Sequence, residues 1–279
     1  MMAARQLSGI RDLADRFEIF ILDQFGVLHD GTAPYPGAVE TLVKLKQAGK
    51  RTLLLSNSGK RSAPNEARLE RLGFVPGSWD FFLSSGEVAW QSLRKQLVGE
   101  AGLRCLLIAR DGDRSAVEGL PLTLVDAGEE ADIVLLSASE GDRHDLDHYR
   151  RLLQPAVARG ARCLCTNPDK IMLTSVGPRF GAGRIAELYA ELGGEVTWIG
   201  KPFPEIYAAA LEVLGDPGPA RVVCVGDSIE HDISGGQGAG LRTALVMTGV
   251  LETSSAAERE RLFAEHGATP DFLVRTFAW

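Results

Sequence analysis

The sequence predicts an α/β fold built on parallel sheets. Short apolar runs rich in Ile, Leu and Val alternate with amphipathic stretches along the chain. This alternation is typical of buried parallel strands joined by crossover helices. A length of 279 residues with 45% hydrophobic content is sufficient for one large or two modest domains. The runs that we interpret as buried strands are Ile19–Leu22, Thr52–Leu55, Cys105–Ala109, Ile133–Leu136, Val222–Val225 and Thr243–Met247.

Two stretches between the first strands are predicted to be crossover helices. Gly37–Gly49 carries apolar residues at helical spacing and ends on a glycine, a common helix stop. Arg61–Leu72 has an arginine-rich face and is followed directly by Gly73. Both stretches therefore fit helices that return the chain to the start of the next parallel strand.

The middle of the chain reads as a second α/β unit inserted into the first. It contains strand-like runs, among them Arg162–Thr166, and an acidic helix-like stretch, Asp142–Arg159. It also separates two groups of candidate site residues, as an inserted domain would. We therefore predict a core domain of residues 1–85 and 194–279 and an inserted domain of residues 86–193, with a hinge at Ser84–Gly86.

Composition argues against several classes of partner. A formal net charge of −7 is unsuited to a polyanion, because nucleic-acid binding relies on clustered Lys and Arg. No apolar run approaches the length that spans a bilayer, and Met1–Arg16 lacks the continuous apolar stretch of a signal peptide. We expect a cytoplasmic protein with no nucleic-acid or membrane partner. The four cysteines show no metal-ligand spacing, and we interpret them as reduced, buried thiols.

Polar residues follow four of the apolar runs. In an open parallel sheet, ligands bind beyond the carboxyl ends of the strands, so these positions are where chemistry is expected. Each segment alone also fits a bland interpretation, such as a turn, a helix cap or a surface charge. The four segments are Asp23–Val27, Ser56–Gly59, Ile199–Pro202 and Gly226–Asp232.

Taken together, the four strand ends predict a metal-dependent phosphoryl site. Asp23, Asp227 and Asp232 would form a cluster of like charge, which is costly unless a divalent ion neutralises it. Carboxylate oxygens are ligands that Mg²⁺ prefers. Lys201 would help to hold this acidic site and an incoming phosphoryl group together. The hydroxyl, amide and backbone groups of Ser56–Gly59 can grip phosphate oxygens without adding charge.

These residues, in this order, resemble the haloacid dehalogenase superfamily. The pattern is a strand followed by Asp23, a strand followed by Ser56, Lys201 before a helix, and a strand followed by Gly-Asp with a second Asp five residues later. Further details resemble its NagD-like class IIA branch, which has an inserted C2 cap. Those details are Ser56–Ser58, Thr166–Asp169, Gly200–Pro202 and Thr248–Val250.

The resemblance implies a Rossmann-like parallel-sheet core with an inserted α/β C2 cap, and an activity. It implies a Mg²⁺-dependent phosphatase or phosphotransferase that acts on a small phosphorylated metabolite, such as a sugar phosphate or nucleotide. Asp23 would attack phosphorus to give an aspartyl-phosphate, and Ser56 and Lys201 would hold the phosphoryl oxygens. Asn57 and Ser58 are candidate substrate-binding residues. Relatives suggest a homodimer.

The metal ligands implied by the resemblance lie on two strand ends. Asp23, the backbone carbonyl of Phe25 and Asp227 would bind Mg²⁺, and Asp232 would support the metal or Lys201. In the inserted unit, Thr166–Asp169 ends a strand-like run, and Asn167 and Asp169 are further candidates for substrate binding because they present polar atoms at a turn.

Phe25 departs from the pattern. In phosphatases of this superfamily the residue two after the nucleophile is usually a second Asp, which protonates the leaving group. A phenylalanine cannot transfer protons, and loss of a general acid–base commonly costs roughly 10²–10⁴ in rate. Three interpretations follow: another group, such as His29, Asp30 or Asp169, relays protons; the substrate has a good leaving group, such as an acyl phosphate; or the protein is a dehalogenase-like hydrolase of carbon–halogen bonds.

Two considerations rank these alternatives. Asp227 and Asp232 keep the spacing of a metal motif, which favours phosphoryl transfer over dehalogenation because the dehalogenases do not need the metal. His29 and Asp30 taken singly are better explained as a packed residue and a turn. A binding or regulatory protein that kept the fold and lost turnover stays a further alternative, since a fold does not guarantee a function.

Overall fold

A computed structural model describes residues 4–99, 102–174 and 177–279. The chain forms two compact units. The first comprises the described residues of Met1–Ser56, Ala63–Leu83 and Lys201–Trp279, and the second those of Asn57–Ser62 and Ser84–Gly200. The predicted domain division at residues 85/86 and 193/194 stays a prediction, and the compact units differ from it in assigning residues 57–62, 84–85 and 194–200 to the second unit.

Strands and helices alternate along much of the described chain. The strands are β1 (Arg5–Gln6), β2 (Ile19–Leu22), β3 (Arg51–Ser56), β4 (Phe81–Ser84), β5 (Leu103–Ile108), β6 (Leu122–Val125), β7 (Ile133–Leu136), β8 (Arg162–Cys165), β9 (Ile171–Thr174), β10 (Gly177–Phe180), β11 (Val196–Trp198), β12 (Val222–Gly226), β13 (Arg242–Val246) and β14 (Phe272–Val274). The helices are α1 (Ile10–Ala14), α2 (Ala38–Gln47), α3 (Ser62–Arg71), α4 (Ser85–Gln96), α5 (Leu146–Arg159), α6 (Ala182–Glu191), α7 (Pro204–Val213), α8 (Gly235–Gly238) and α9 (Ala256–His266).

The first unit is built on a seven-stranded sheet of order β1-β14-β13-β12-β2-β3-β4. Strand β2 pairs in parallel with β12 on one side and with β3 on the other. The chain leaves β2 toward β3 and leaves β12 in the opposite direction toward β13, so β2 and β12 flank a topological switch point. Open α/β sheets bind ligands beyond the carboxyl ends of the strands at such a point.

The central strands of this sheet are buried along their whole length. All four residues of β2 and all five of β12 are buried, which explains why the sequence shows continuous apolar runs there rather than alternation. Leu22 and Val225 are register partners, so the residues that follow them, Asp23 and Gly226, emerge together at the same edge. The backbone N–H of Asp23 donates to the carbonyl of Val225 at 2.9 Å.

The second unit has its own parallel sheet and its own core. Its five strands have the order β11-β8-β7-β5-β6, and β9 and β10 form a separate antiparallel hairpin. The all-buried strand β7 lies at the centre of this sheet, and Tyr149 of α5 and Tyr189 of α6 pack into the core. The predicted α/β class, with a parallel-sheet core and a second α/β unit, is confirmed.

Element boundaries differ modestly from the predictions. Helix α2 lies inside the predicted Gly37–Gly49, and α5 occupies only the second part of the predicted Asp142–Arg159 because Asp145 caps it: the carboxylate accepts from the N–H of His148. The helix expected after Lys201 is α7, which begins at Pro204, and Pro202 follows Lys201 through a cis peptide bond.

The described helices contain no segment that is both long and apolar enough to cross a membrane.

Candidate active site

Three carboxylates meet at the carboxyl ends of β2 and β12. Asp23 directly follows β2, Asp227 directly follows β12, and Asp232 lies in the π-helical turn Ile229–Ser234 that comes next. Oxygen atoms of the three side chains all lie within 4.8 Å of one another. The sequence-predicted cluster of like charge is therefore formed within the first unit.

Lys201 joins this cluster as its cation. Its Nζ donates to Oδ1 of Asp23 at 2.6 Å and to Oδ1 of Asp232 at 2.7 Å. Lys201, Asp227 and Asp232 are each 4% exposed and Asp23 is 9% exposed, so the charges are largely removed from water. Charge-assisted hydrogen bonds of this length are strong, and they fix the ammonium between the two carboxylates.

Glycines let the carboxylates approach the backbone closely. A Cβ on Gly26, whose φ is +89°, would lie 2.1 Å from Oδ2 of Asp227, and a Cβ on Gly226 would lie 2.0 Å from Cγ of Asp232. Both positions thus require the absence of a side chain. Thr248 supports the same turn, because its Oγ1 donates to the carbonyl of Gly26 at 2.6 Å.

Burial and charge act in opposite directions on the central ion pair. Burial raises the pKa of Asp23 to about 7; Lys201 opposes this rise and Asp232 adds to it. Burial lowers the pKa of Lys201, but Asp23 and Asp232 together outweigh that effect and raise it above its ordinary value. The Lys201 ammonium therefore stays charged, and the three carboxylates outnumber this one cation.

The donor set fits a divalent metal ion. Three carboxylates and one ammonium carry a net charge of −2 when all are ionised, which one divalent cation would balance. Oxygen ligands at this spacing suit a hard cation such as Mg²⁺. Asp232 differs from the other two carboxylates in that Oδ1 accepts from Lys201 and Oδ2 accepts from the backbone N–H of Ser228 at 3.1 Å. Its clearest structural role is to hold Lys201.

Phe25, where a second Asp was expected by resemblance, is 41% exposed. Its ring meets the ring of His29 edge to face, with centroids 5.6 Å apart. Its side chain has no proton to transfer, so its chemistry differs from that of the expected acid.

His29 and Asp30, the nearby candidates for proton relay, are both engaged in local structure. His29 is fully buried, and its Nδ1 accepts from the backbone N–H of Gly31 at 3.0 Å. Burial lowers the pKa of His29 to about 4; Arg68 adds to this and Asp30 opposes it. Oδ1 of Asp30 accepts from the N–H groups of Ala33 and Thr32 and from the Thr32 hydroxyl, which lowers the pKa of Asp30 to about 2.

Ser56 ends β3, the neighbour of β2, and is 4% exposed. Its Oγ accepts from Nε2 of Gln24 at 2.5 Å. Sequence reasoning singled out Ser56 but missed Gln24, although Gln24 directly follows the candidate nucleophile. A polar residue two positions beyond a buried strand end was the available signal.

The remaining candidates belong to the second unit. Nδ2 of Asn57 donates to Oδ1 of Asp169 at 2.8 Å, and the backbone N–H of Asp169 donates to Oδ1 of Asn167 at 3.3 Å. The carbonyl of Ser58 accepts from the N–H of Gly86 at 3.0 Å. The structure therefore brings Asn57, Asn167 and Asp169 together within one unit.

Comparison with known proteins places this site in a family. Residues 20–123 match the family model described as haloacid dehalogenase-like hydrolase, and residues 198–278 match one described as HAD-hydrolase-like. Chronophin from Rattus norvegicus is 31% identical over 97% of this chain and 89% of its own length. The chain therefore belongs to the haloacid dehalogenase-like hydrolases.

Two solved structures refine this assignment. The crystal structure of glycerol phosphate phosphatase Rv1692 from Mycobacterium tuberculosis in complex with magnesium has a TM-score of 0.75 and 26% identity, and covers 97% of this chain and 78% of that one. A putative nagD protein has a TM-score of 0.69 and 25% identity, and covers 85% of this chain and 90% of that one. The predicted NagD-like branch is thereby confirmed, and the chain is a hydrolase of this type.

Proposed function

We propose that the chain is a Mg²⁺-dependent phosphatase that acts on a small phosphorylated metabolite through an aspartyl-phosphate on Asp23. The observation that carries this proposal is the buried carboxylate cluster, in which Lys201 is held between Asp23 and Asp232. A cluster with excess negative charge has little structural value but matches the needs of phosphoryl transfer, where charge on the equatorial oxygens must be neutralised. The activity named for the glycerol phosphate phosphatase supports the same reaction class.

The reaction proceeds in two balanced steps. An oxygen of Asp23 attacks phosphorus, and the bond from phosphorus to the leaving-group oxygen breaks, with the electron pair departing on that oxygen. Water then attacks phosphorus of the aspartyl-phosphate, which releases inorganic phosphate and regenerates the Asp23 carboxylate. Ser56 and Lys201 hold phosphoryl oxygens during both steps, and Lys201 is kept in position by Asp232.

The residues that would hold Mg²⁺ are Asp23, the Phe25 carbonyl and Asp227, with Asp232 supporting them. When bound, the ion would neutralise the carboxylates and the phosphoryl oxygens. Burial raises the pKa of Asp23 to about 7, whereas a nucleophilic carboxylate must be ionised, and a nearby cation would favour the ionised form.

The exposed ring of Phe25 favours a particular range of substrates. The residue cannot protonate a leaving group, and His29 and Asp30 are committed to the local fold. Substrates whose leaving groups are stable as anions, such as acyl phosphates, need no acid in the first step. We therefore expect them to react faster than alkyl phosphate esters, which would turn over slowly.

Substrate contacts outside the cluster belong to the proposal as well. Asn57 and Ser58 would add contacts to the phosphoryl oxygens beside Ser56, and Asn167 and Asp169 present polar groups that would recognise the rest of the metabolite. The substrate is a small molecule, with no nucleic-acid or membrane partner proposed. A cytoplasmic location and a homodimer stay predictions.

The deciding experiment is a phosphate-release assay. Sugar phosphates, nucleotides, pyridoxal phosphate and acyl phosphates are supplied with Mg²⁺ or EDTA to the wild type and to Asp23→Asn. We expect release that requires Mg²⁺ and falls by on the order of 10⁴-fold or more in the variant.

Release that persists in Asp23→Asn would overturn the proposed nucleophile. Absence of release from every substrate, with Mg²⁺ still bound, would instead favour a binding protein. In that case a halide-release assay would test dehalogenation.

A further inference from the structure

The start of helix α4 has the sequence of a capping box, but only one of the two hydrogen bonds of that box is formed. Ser84 and Glu87 have the Ser-x-x-Glu spacing of a capping box, in which each side chain bonds to the backbone N–H of the other residue. The same spacing recurs at Ser255 and Glu258, where both bonds are present, at 3.2 and 2.7 Å. At α4 only the Ser84 half of the box is formed.

The carboxylate of Glu87 binds Arg61 instead. Nε of Arg61 donates to Oε2 at 2.6 Å and Nη2 donates to Oε1 at 2.9 Å, which is a bidentate pair. The Arg61 guanidinium also lies over the ring of Trp90, 3.7 Å from its centroid. Trp90 is itself anchored, because its Nε1 donates to the carbonyl of Glu118 at 2.8 Å. Arg61 is thus held by two partners, Glu87 and Trp90.

The backbone on the N-terminal side of Arg61 is held by the same helix start. The hydroxyl of Ser84 donates to the carbonyl of Lys60 at 2.6 Å, and the N–H of Gly86 donates to the carbonyl of Ser58 at 3.0 Å. Gly59 packs so closely that a Cβ there would lie 1.9 Å from the carbonyl oxygen of Ser137. The segment 57–62 is therefore fastened to the second unit along its length.

This segment directly continues the strand that ends in Ser56. Ser56 belongs to the first unit, whereas Asn57–Ser62 belongs to the second. Asn57 and Ser58 are the candidate substrate-binding residues of this stretch. The carbonyl of Ser58 is held by the N–H of Gly86 in α4, and the side chain of Asn57 is held by Asp169. Small displacements of such groups are expensive, since a misplacement of about 1 Å can cost on the order of 10²-fold in rate.

We propose that Arg61, clamped by Glu87 and Trp90, is a positioning residue that sets the conformation of segment 57–60 for binding a phosphoryl group. The role in phosphoryl binding rests on the proposed function, whereas the contacts of Arg61 with Glu87 and Trp90 do not depend on turnover. The diversion of Glu87 from its capping box is the structural mark of this role.

A matched ion pair in the same unit provides the control. Arg110 makes a bidentate pair with Asp142 at 2.7 and 2.7 Å. The side-chain exposures are 30% and 16%, close to the 26% and 14% of Arg61 and Glu87. Arg110→Ala therefore removes the same chemistry at similar burial without touching segment 57–62.

The test combines two readouts on the full chain. Calorimetry measures the dissociation constant of inorganic phosphate with Mg²⁺ present, and hydrogen exchange measures protection of peptides that cover residues 57–62. For Arg61→Ala we expect phosphate affinity to fall about tenfold and exchange in 57–62 to increase, whereas Arg110→Ala stays within about twofold on both. Arg61→Lys keeps the positive charge but loses the two parallel N–H donors of the guanidinium group, so its phosphate affinity should lie between those of wild type and Arg61→Ala.

If Arg61→Ala does not fold, Glu87→Gln replaces it in the same two measurements. The double variant Arg61→Ala with Glu87→Gln should lose no more phosphate affinity than either single variant, because both substitutions break the same pair. Unchanged phosphate affinity in Arg61→Ala, or equal losses in Arg110→Ala, would overturn the inference. A wild type that binds phosphate but hydrolyses no substrate would contradict the proposed function alone. A wild type that binds no phosphate would overturn both.

Discussion

Asp142 in the second unit and Asp23 in the first have pKa values shifted in opposite directions. In the second unit, Asp142 accepts two hydrogen bonds from Arg110 at a partly exposed position, and that pairing lowers its pKa to about 2. In the first unit, Asp23 shares Lys201 with a second carboxylate in a buried cluster, and burial raises its pKa to about 7. A paired charge at the surface supports the fold, whereas an excess of buried negative charge indicates a candidate functional site.

Removal of the Lys201 ammonium should have the largest effect, and it acts on stability. Lys201→Met leaves Asp23 and Asp232 buried without their partner, so we expect the free energy of unfolding in EDTA to fall by about 3–5 kcal/mol at neutral pH. Arg110→Met, which leaves only the partly exposed Asp142 unpaired, should lose about 1 kcal/mol or less. Urea unfolding in EDTA measures the free energy of unfolding of both variants. Equal losses would contradict the expectation that the buried cluster depends more strongly on its cation than the exposed pair does.

Supplying an acid should have the next largest effect, this time on activity. In Phe25→Asp we expect turnover of alkyl phosphate esters to rise by roughly 10²-fold, because a general acid then protonates the leaving group. Acyl phosphates should gain little. Phe25→Asn is the matched control, because asparagine is polar and similar in size to aspartate but cannot transfer a proton. A comparable gain in Phe25→Asn would mean that the ring only hinders access.

The pH dependence of stability should follow the raised pKa of Asp23. Its folded pKa of about 7 lies above its ordinary value of 3.8, so between these values the folded protein holds a proton that the unfolded chain has lost. The contribution of Asp23 to stability is therefore complete below about pH 4 and is lost as the pH rises to about 7.

Asp23→Asn removes this titration. The measured quantity is the difference in free energy of unfolding between wild type and Asp23→Asn in EDTA, from pH 4 to 8. We expect wild type to lose stability relative to the variant as pH rises, and saturating Mg²⁺ to reduce the slope. A flat difference would contradict the raised pKa.

The smallest effect is expected at Asp30. Its carboxylate serves as a turn acceptor for Thr32 and Ala33, and an asparagine oxygen can accept the same bonds. Asp30→Asn should therefore leave phosphate release within about twofold of wild type at all pH values. A large loss of activity with an altered pH profile would instead identify Asp30 as the missing proton donor.

The sequence by itself determined the fold class and most of the first unit's site. Buried parallel strands require continuous apolar runs, so Ile19–Leu22 and Val222–Val225 were recognisable, and the polar residues after them followed from where such sheets bind ligands. Asp23, Ser56, Lys201, Asp227 and Asp232 were all identified in this way. The short edge strand β1 and its neighbour β14 were missed because two or three residues carry too weak a pattern.

Only the tertiary structure decided which charges are paired. Lys201 meets Asp23 from 178 residues away, and Glu87 leaves its capping box for Arg61, which lies 26 residues earlier in the chain. His29, which the sequence already indicated to be a packed residue, is buried, and the structure adds its partner, the backbone N–H of Gly31. Periodicity reports which face of a strand or helix is buried, but partners so distant in sequence depend on which elements become neighbours. That choice is made by packing of the whole unit, and no local pattern records it.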